Sequence, residues 1–328
     1  MGLRGFILIW LVTGLGAVSA QAQTKAVTDP GDYYQIPLNL PDKAAIRQVI
    51  HKTTQIRLND QTETATFSGE YISRFTADKD GYRVTKTTVS SNLILEGDVT
   101  DEKSDDMQKL SAALTDVGVI TYVADANLTP LRIDDWPRLR RAIKQSMRKA
   151  GLMKQKQEAA FDALYERISP EVASELFLPE DGLLAIPRNL GLSLENPYVL
   201  ESKIEPPFGG EALRTRETLK LTRWDEAGQK AYITYQSGPA KADLEAYASA
   251  IQPELDTAAR LDAEQYGWAY RPVTEVQLDI STRCNYEMSL QTGLVLRAAC
   301  LSIRDIRVGD QIQSQRESWS MSESFENQ

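Results

Sequence analysis

From Val276 to Leu290 the chain alternates almost without a break. Val276, Leu278, Ile280, Cys284, Tyr286, Met288 and Leu290 occupy one parity, and Glu275, Gln277, Asp279, Arg283, Asn285 and Glu287 the other. A period of two is the strand period, with one face apolar and one wet. One-sided alternation points to an antiparallel sheet with a solvated back, because strands of a parallel sheet are covered on both faces and read as continuous apolar runs. At ~3.3 Å per residue this run spans roughly 50 Å, so it must curve. Gln291-Thr292-Gly293 predicts a three-residue hairpin loop that sets Leu290 opposite Leu294, Tyr286 opposite Ala298 and Cys284 opposite Cys300. A two-residue Thr-Gly turn would instead bury Arg297 and put the two cysteines on different faces.

The same reading places further elements. Residues 66–91 predict a hairpin turning at Asp78-Lys79-Asp80-Gly81, with Phe67, Tyr71 and Phe75 on one face. An acidic stretch, Asp98 to Asp106, leads into a short helix capped by Ser104 with a Met107, Leu110, Leu114 stripe. Residues 119–133 predict a second hairpin. Asp134 or Asp135 caps a helix bearing Trp136, Leu139, Ile143 and Met147, Phe161, Leu164 and Ile168 mark another, and Ser169-Pro170 opens a third. Residues 179–210 hold five of the fourteen prolines and predict loop with short extended pieces. A hairpin turning between Glu226 and Gln229 follows, then a helix with Leu244, Tyr247, Ala248, Ile251 and Leu255, bent or broken at Pro253.

The expected fold is therefore α+β: a long, curved, half-barrel-like antiparallel β-sheet with helices packed on its concave face. Residues 23–41 form an extended lead-in and 42–328 one domain. That domain contains two pseudo-repeated hairpin-helix-hairpin halves, about 66–133 and 208–320, joined by a helical segment at about 135–178. Phe67-Ser68-Gly69-Glu70 and Phe208-Gly209-Gly210-Glu211 open the two halves.

Composition adds compartment and charge. The first 22 residues combine Arg4, an apolar run from Phe6 to about Val18, and small residues at Ser19, Ala20 and Ala22, the make-up of a cleavable signal peptide. No cysteine follows for lipid attachment, and no later run is apolar enough to cross a bilayer, so the expectation is a soluble periplasmic or secreted protein. Two cysteines in an exported chain of 328 residues predict one disulfide stapling a core. Loss of Arg4 takes the net charge from -9 to -10, which argues against nucleic acid as a partner. Against that background Arg138, Arg140, Arg141, Lys144, Arg148, Lys149, Lys154 and Lys156 form a run with no acidic residue. The run is a candidate docking face for an anionic membrane surface, or a solvated face answering acidic loops such as Asp98 to Asp106.

No catalytic signature emerges, and no cofactor or metal site is expected. His51 is the single histidine, and two mutually paired cysteines leave no thiolate ligands. Asp78-Lys79-Asp80-Gly81 lacks the remaining ligands of a calcium loop. Ser146-Met147-Arg148-Lys149 has Ser-x-x-Lys spacing without its companion motifs. What remains is an exported binding or carrier protein for a lipid or other apolar or amphipathic ligand in a bacterial-type envelope, lined by Leu278, Ile280, Tyr286, Met288, Leu294 and Leu296. The alternatives are a structural or assembly protein with a filled core and a hydrolase working through paired carboxylates. The signal sequence predicts that the mature chain begins near Gln21 or Gln23; intact mass of the exported protein checks this, and a full-length mass in the membrane fraction refutes it.

Overall fold

The computed structural model describes residues 33–41, 43–79, 81–97, 109, 117–153 and 155–326. The expected signal peptide, the Asp98 to Asp106 stretch, the helix with Met107, Leu110 and Leu114, and Lys154 lie outside the described residues, as do the side chains of Lys156 and Leu164. Eleven strands form one open antiparallel sheet. One meander runs outward from the sheet's middle: β2 (Ala45–Leu58), β3 (Gln61–Asp78), β4 (Gly81–Gly97), β5 (Val119–Ala124) and β6 (Pro130–Ile133). The other starts at the far edge and runs inward: β8 (Tyr198–Ile204), β9 (Leu213–Asp225), β10 (Lys230–Pro239), β11 (Val276–Ser289), β12 (Val295–Val308) and β13 (Gln311–Phe325). The two meet where β13 pairs with β2, from Phe325 opposite Ile46 to Gln313 opposite Leu58. The sheet is thus closed on neither edge, and its central strand pair joins two strands far apart in the chain.

Between the meanders the chain crosses the sheet's inner face. Helix α1 (Trp136–Lys149) starts as expected, with Asp135 Oδ1 accepting from the Arg138 amide at 3.1 Å. Helices α2 (Gln155–Tyr165) and α3 (Pro170–Phe177) follow, α3 capped by Ser169. Trp136, Leu139, Ile143, Phe161 and Ala173 pack with Val84, Tyr122 and Ile133 against the first meander.

The proline-rich stretch is more ordered than expected. It begins with helix α4 (Pro179–Ala185) and includes β8. It also includes β7 (Gly191–Leu192), paired with β1 (Tyr34–Gln35) of the lead-in. Pro179 suits a first helical turn, where its missing N–H has no intrahelical partner to lose, so local proline density here starts a helix. Leu183 and Leu184 of α4 join Leu219, Leu221, Ile233, Tyr286, Met288 and Trp319 in the largest core cluster. Helix α5 (Lys241–Tyr266) packs Leu244, Tyr247 and Ile251 on Leu213 and Val276. Of the bend or break expected at Pro253 there is no break, and the helix continues past it; Pro253 is exposed, and its carbonyl accepts the Thr257 hydroxyl at 2.8 Å.

The β11–β12 hairpin keeps the expected cysteine register by a different route. Ser289, not Leu290, faces Leu294: its amide donates to Leu294 O at 3.0 Å, leaving a four-residue loop with Gly293 at φ +70°. A bulge at Leu296 then restores Tyr286 to Ala298 and Cys284 to Cys300. With the bulge, the cysteines fall at a non-hydrogen-bonded position of the ladder and sit 4.1 Å apart at Cα, close as such pairs are. The disulfide is formed, and Cys300 lies opposite the buried Trp319. Phe67-Ser68-Gly69-Glu70 lies mid-strand in β3, whereas Phe208-Gly209-Gly210-Glu211 is loop before β9. Replacing both cysteines by alanine should lower unfolding stability by about 3 kcal/mol in the chain-entropy account; urea titration measures it, and the unfolded, unreduced wild type should show no reactive thiol.

Candidate ligand-binding face

The middle of the inner face is filled, and charge holds it. Asp181 of α4 accepts from Lys86 Nζ on β4, from the Tyr122 hydroxyl on β5 at 3.1 Å and from Gln48 Nε2 on β2 at 3.3 Å. Gln48 Nε2 also donates to Glu323 Oε1 on β13 at 3.2 Å. Arg188, three residues beyond α4, donates to Glu323 Oε2 and, at 3.3 Å, to Asn127 O, while the Val295 amide donates to Glu323 Oε2 at 3.1 Å. Both ion pairs are sealed: the Lys86 and Asp181 side chains are 6% and 3% exposed, and those of Arg188 and Glu323 2% and 0%. Lys86 also sits 4.5 Å from the centre of the Tyr71 ring. Burial first, then the negative Asp181, pushes the Tyr122 phenol far above its ordinary value, so it stays a donor. Two carboxylates here share one amide, yet neither offers an oxygen to solvent.

Towards the end of the sheet that carries the hairpin tips Asn59-Asp60 and Gly309-Asp310, the inner face changes character. On this distal half, Lys52 lies opposite Trp319 on one side and Phe67 on the other, and Phe67 faces Leu93. One step further, Glu317 faces Thr54, Thr54 faces Ala65, and Ala65 faces Leu95. A polar strip therefore runs along β13 and β2: Lys52 bridges Glu317 at 3.0 Å, and the Thr54 hydroxyl donates to Glu317 at 3.3 Å. Burial lowers the Arg304 guanidinium on β12 from its ordinary value against the opposing pull of Glu317. Flanking the strip are two apolar rows, Phe67, Ala65, Leu93 and Leu95 on one side and Leu278, Ile280 and Ile306 on the other. Gly69 lets the first row close up: a Cβ there would come within 2.8 Å of both the Phe67 and Tyr71 rings. Among the described residues Phe67, Leu93 and Leu95 are part-exposed and belong to none of the four core clusters.

The six residues expected to line a cavity fall in separate places. Tyr286 and Met288 are core, the Tyr286 hydroxyl donating to Leu183 O at 2.9 Å. Leu294 packs with Ile46 and Leu128, and Leu278 and Ile280 lie against the α5 cluster. Leu296 is the half-buried bulge residue. Phe67 stands between polar neighbours, but Leu93 and Leu95 flank the exposed Ile94, so the sequence pattern alone did not single out the distal face.

The basic helix α1 is answered by its neighbour α2. Lys144 bonds Asp162 at 2.6 Å, Arg148 forks onto Glu158 at 2.6 and 2.5 Å, and Arg140 lies 3.9 Å from Glu166. Arg148 holds the Glu158 carboxyl below its ordinary value. Arg138 and Arg141 are exposed, and Lys149, also exposed, has an interaction of its own. His51 is exposed on the outer face, with Nδ1 3.0 Å from Ser68 Oγ. That outer face also carries a cleft of about 440 Å³ walled by Arg57, Asp279, Asp305, Arg307 and Arg316, in which Asp305 is already held by Ser314 and Arg316. Among the described residues no group of three potential metal ligands converges, and no helix is long and apolar enough to cross a membrane.

By fold, then, this is an open, half-barrel-like antiparallel sheet with a helical crossover packed into it. No protein-family model matches the chain, and no curated protein matches it. Among solved structures it is similar to a chain from a study of lipid–protein interactions in lipovitellin, with a TM-score of 0.42 and 11% identity over 88% of this chain. This chain spans 26% of that one.

The sealed ion pairs predict a specific mutational pattern. Asp181→Leu leaves Lys86 buried without a counter-charge and should destabilise by about 3–5 kcal/mol, and adding Lys86→Met should recover much of that loss. Urea unfolding of the two variants measures both steps.

Proposed function

We propose that the protein binds an amphipathic, lipid-like ligand on the distal half of its inner face, as a binding or carrier protein of the cell envelope. The observation that carries this reading is the polar strip of Lys52, Glu317 and Arg304 set between two apolar rows. A charged or polar head group finds hydrogen-bonding partners on the strip, and its hydrocarbon part finds Phe67, Leu93 and Leu95. Ligand sites are concave, mostly apolar, and carry a few convergent polar groups, which is the composition of this face. The signal-like N-terminus and the disulfide support an oxidising, exported setting.

A second reading, an envelope structural or assembly protein, draws support from the filled middle of the sheet, where α4 and its ion pairs leave no room for cargo. The two readings differ in what the distal half holds. Protein purified from its native envelope without detergent should yield a stoichiometric lipid on organic extraction, and Phe67→Glu with Leu93→Glu should abolish it while the disulfide and circular dichroism are kept. Wild type that carries no lipid, or that buries Phe67 and Leu93 under its own residues 98–116, overturns the carrier reading in favour of the second.

A further inference from the structure

Among the described residues the two most exposed large apolar side chains are Leu261, at 59%, and Trp268, at 58%, and they sit within one short stretch at the end of α5. Trp268 stacks on Tyr266 with ring centres 5.0 Å apart, and Tyr270 is 40% exposed. This stretch is held in place. Gly267 ends the helix with φ +69°, a left-handed conformation that suits glycine. The returning chain is then tied to the helix: Tyr270 Oη and the Val273 amide both donate to Asp256 Oδ1, at 2.6 and 2.8 Å, and Gln252 Nε2 donates to Val273 O at 3.1 Å. Arg271 to Asp310, at 2.6 Å, and the Gly309 amide to Glu275 O, at 2.8 Å, fasten it to the β12–β13 hairpin tip. The result is an ordered aromatic projection at the distal end of the sheet.

We propose that this projection docks the protein on a lipid bilayer, with Trp268 and Leu261 entering the head-group region. Three observations select a bilayer. Tyrosine and tryptophan rings, apolar in body and polar at one edge, are the side chains suited to a membrane–water boundary. Between Asp256 and Glu275 the charges are two arginines against four carboxylates, so attraction to an acidic surface is not what holds the projection; apolar insertion is. The projection also stands at the end where the amphipathic face opens, so docking brings that face to a source of lipid. The inference rests on the proposed function for this last point alone, since docking and cargo are read by different measurements.

The test is partition of the mature protein onto phosphatidylcholine vesicles, followed by sedimentation and tryptophan emission. Trp136 and Trp319 are buried and Trp224 is part-buried, so a blue shift reports Trp268. Partition with a blue shift, equal at low and high salt, is expected. Leu261→Ser with Trp268→Ser should weaken partition about tenfold or more, the order expected from withdrawing two large apolar side chains, whereas Phe67→Glu with Leu93→Glu should leave it intact. Four outcomes overturn the proposal: no partition by wild type; undiminished partition by the Leu261 and Trp268 variant; partition abolished by salt, which assigns it to the basic α1; and a blue shift that grows with protein concentration without vesicles, which makes the patch a self-association face.

Discussion

Everything about the inner face follows from two carboxylates that are out of water. Asp181 and Glu323 each need a cation and further donors, because an unpaired charge buried this deeply would cost several kcal/mol. Their donors come from β2, β4, β5 and β12 and from the chain just beyond α4, so satisfying them fixes where the crossover lies on both meanders at once. Hydrophobic packing alone would tolerate α4 sliding along a surface of leucines, isoleucines and aromatic rings. Donation by Arg188 to both Glu323 and Asn127 O, together with the shared Gln48 amide, does not. The network specifies position more than it adds stability, and it divides the sheet into a filled half and a distal half with a different surface.

Strand pattern was legible wherever one face was apolar and the other wet. The β11–β12 register could be read from the sequence because a one-residue error would have buried Arg297 and separated the cysteines. The loop at its tip could not, since a longer loop and a compensating bulge at Leu296 leave Tyr286, Ala298 and the cysteines where a shorter loop without a bulge would put them. Strand β13 was faint for another reason: Gln311 to Ser318 is almost wholly polar, because on both faces it lies in the polar strip or against solvent. Helix α4 was hidden by proline density, read as a loop signal where Pro179 marks a helix start.

Candidate chemistry was less readable than the fold. Lys86, the neighbouring Asp181 and Arg188, and Glu323 come from three separate parts of the chain, and nothing in their local sequence distinguishes them from the other charged residues. Only tertiary structure shows that these four are dry. The reverse holds for α1, whose basic run stands out in sequence, although Glu158 and Asp162 of α2 and Glu166 just beyond it answer part of that run. The distal face had little signal, since Leu93-Ile94-Leu95 is a continuous apolar run that does not say which face is covered, and its polar strip draws on β2, β12 and β13, which only the pairing of β13 with β2 brings together.

The pairing of β13 with β2 has a kinetic meaning. Thirteen consecutive residue pairs, from Phe325 with Ile46 to Gln313 with Leu58, bring together segments that lie far apart in the chain. Local hairpins of each meander can form as soon as their own residues are available, but the central pair waits for the last strand. Until then β2 presents an open edge in what becomes the middle of the sheet, and Glu323 is missing from the ion-pair network. Closure of so long a loop makes folding slow relative to a sheet of local hairpins. A chain emerging N-terminus first would pass through a state with an exposed central edge, the kind of edge that pairs with other chains. Strand β13 is therefore the latch of the sheet, and synthesis order makes it the last of the eleven strands to arrive.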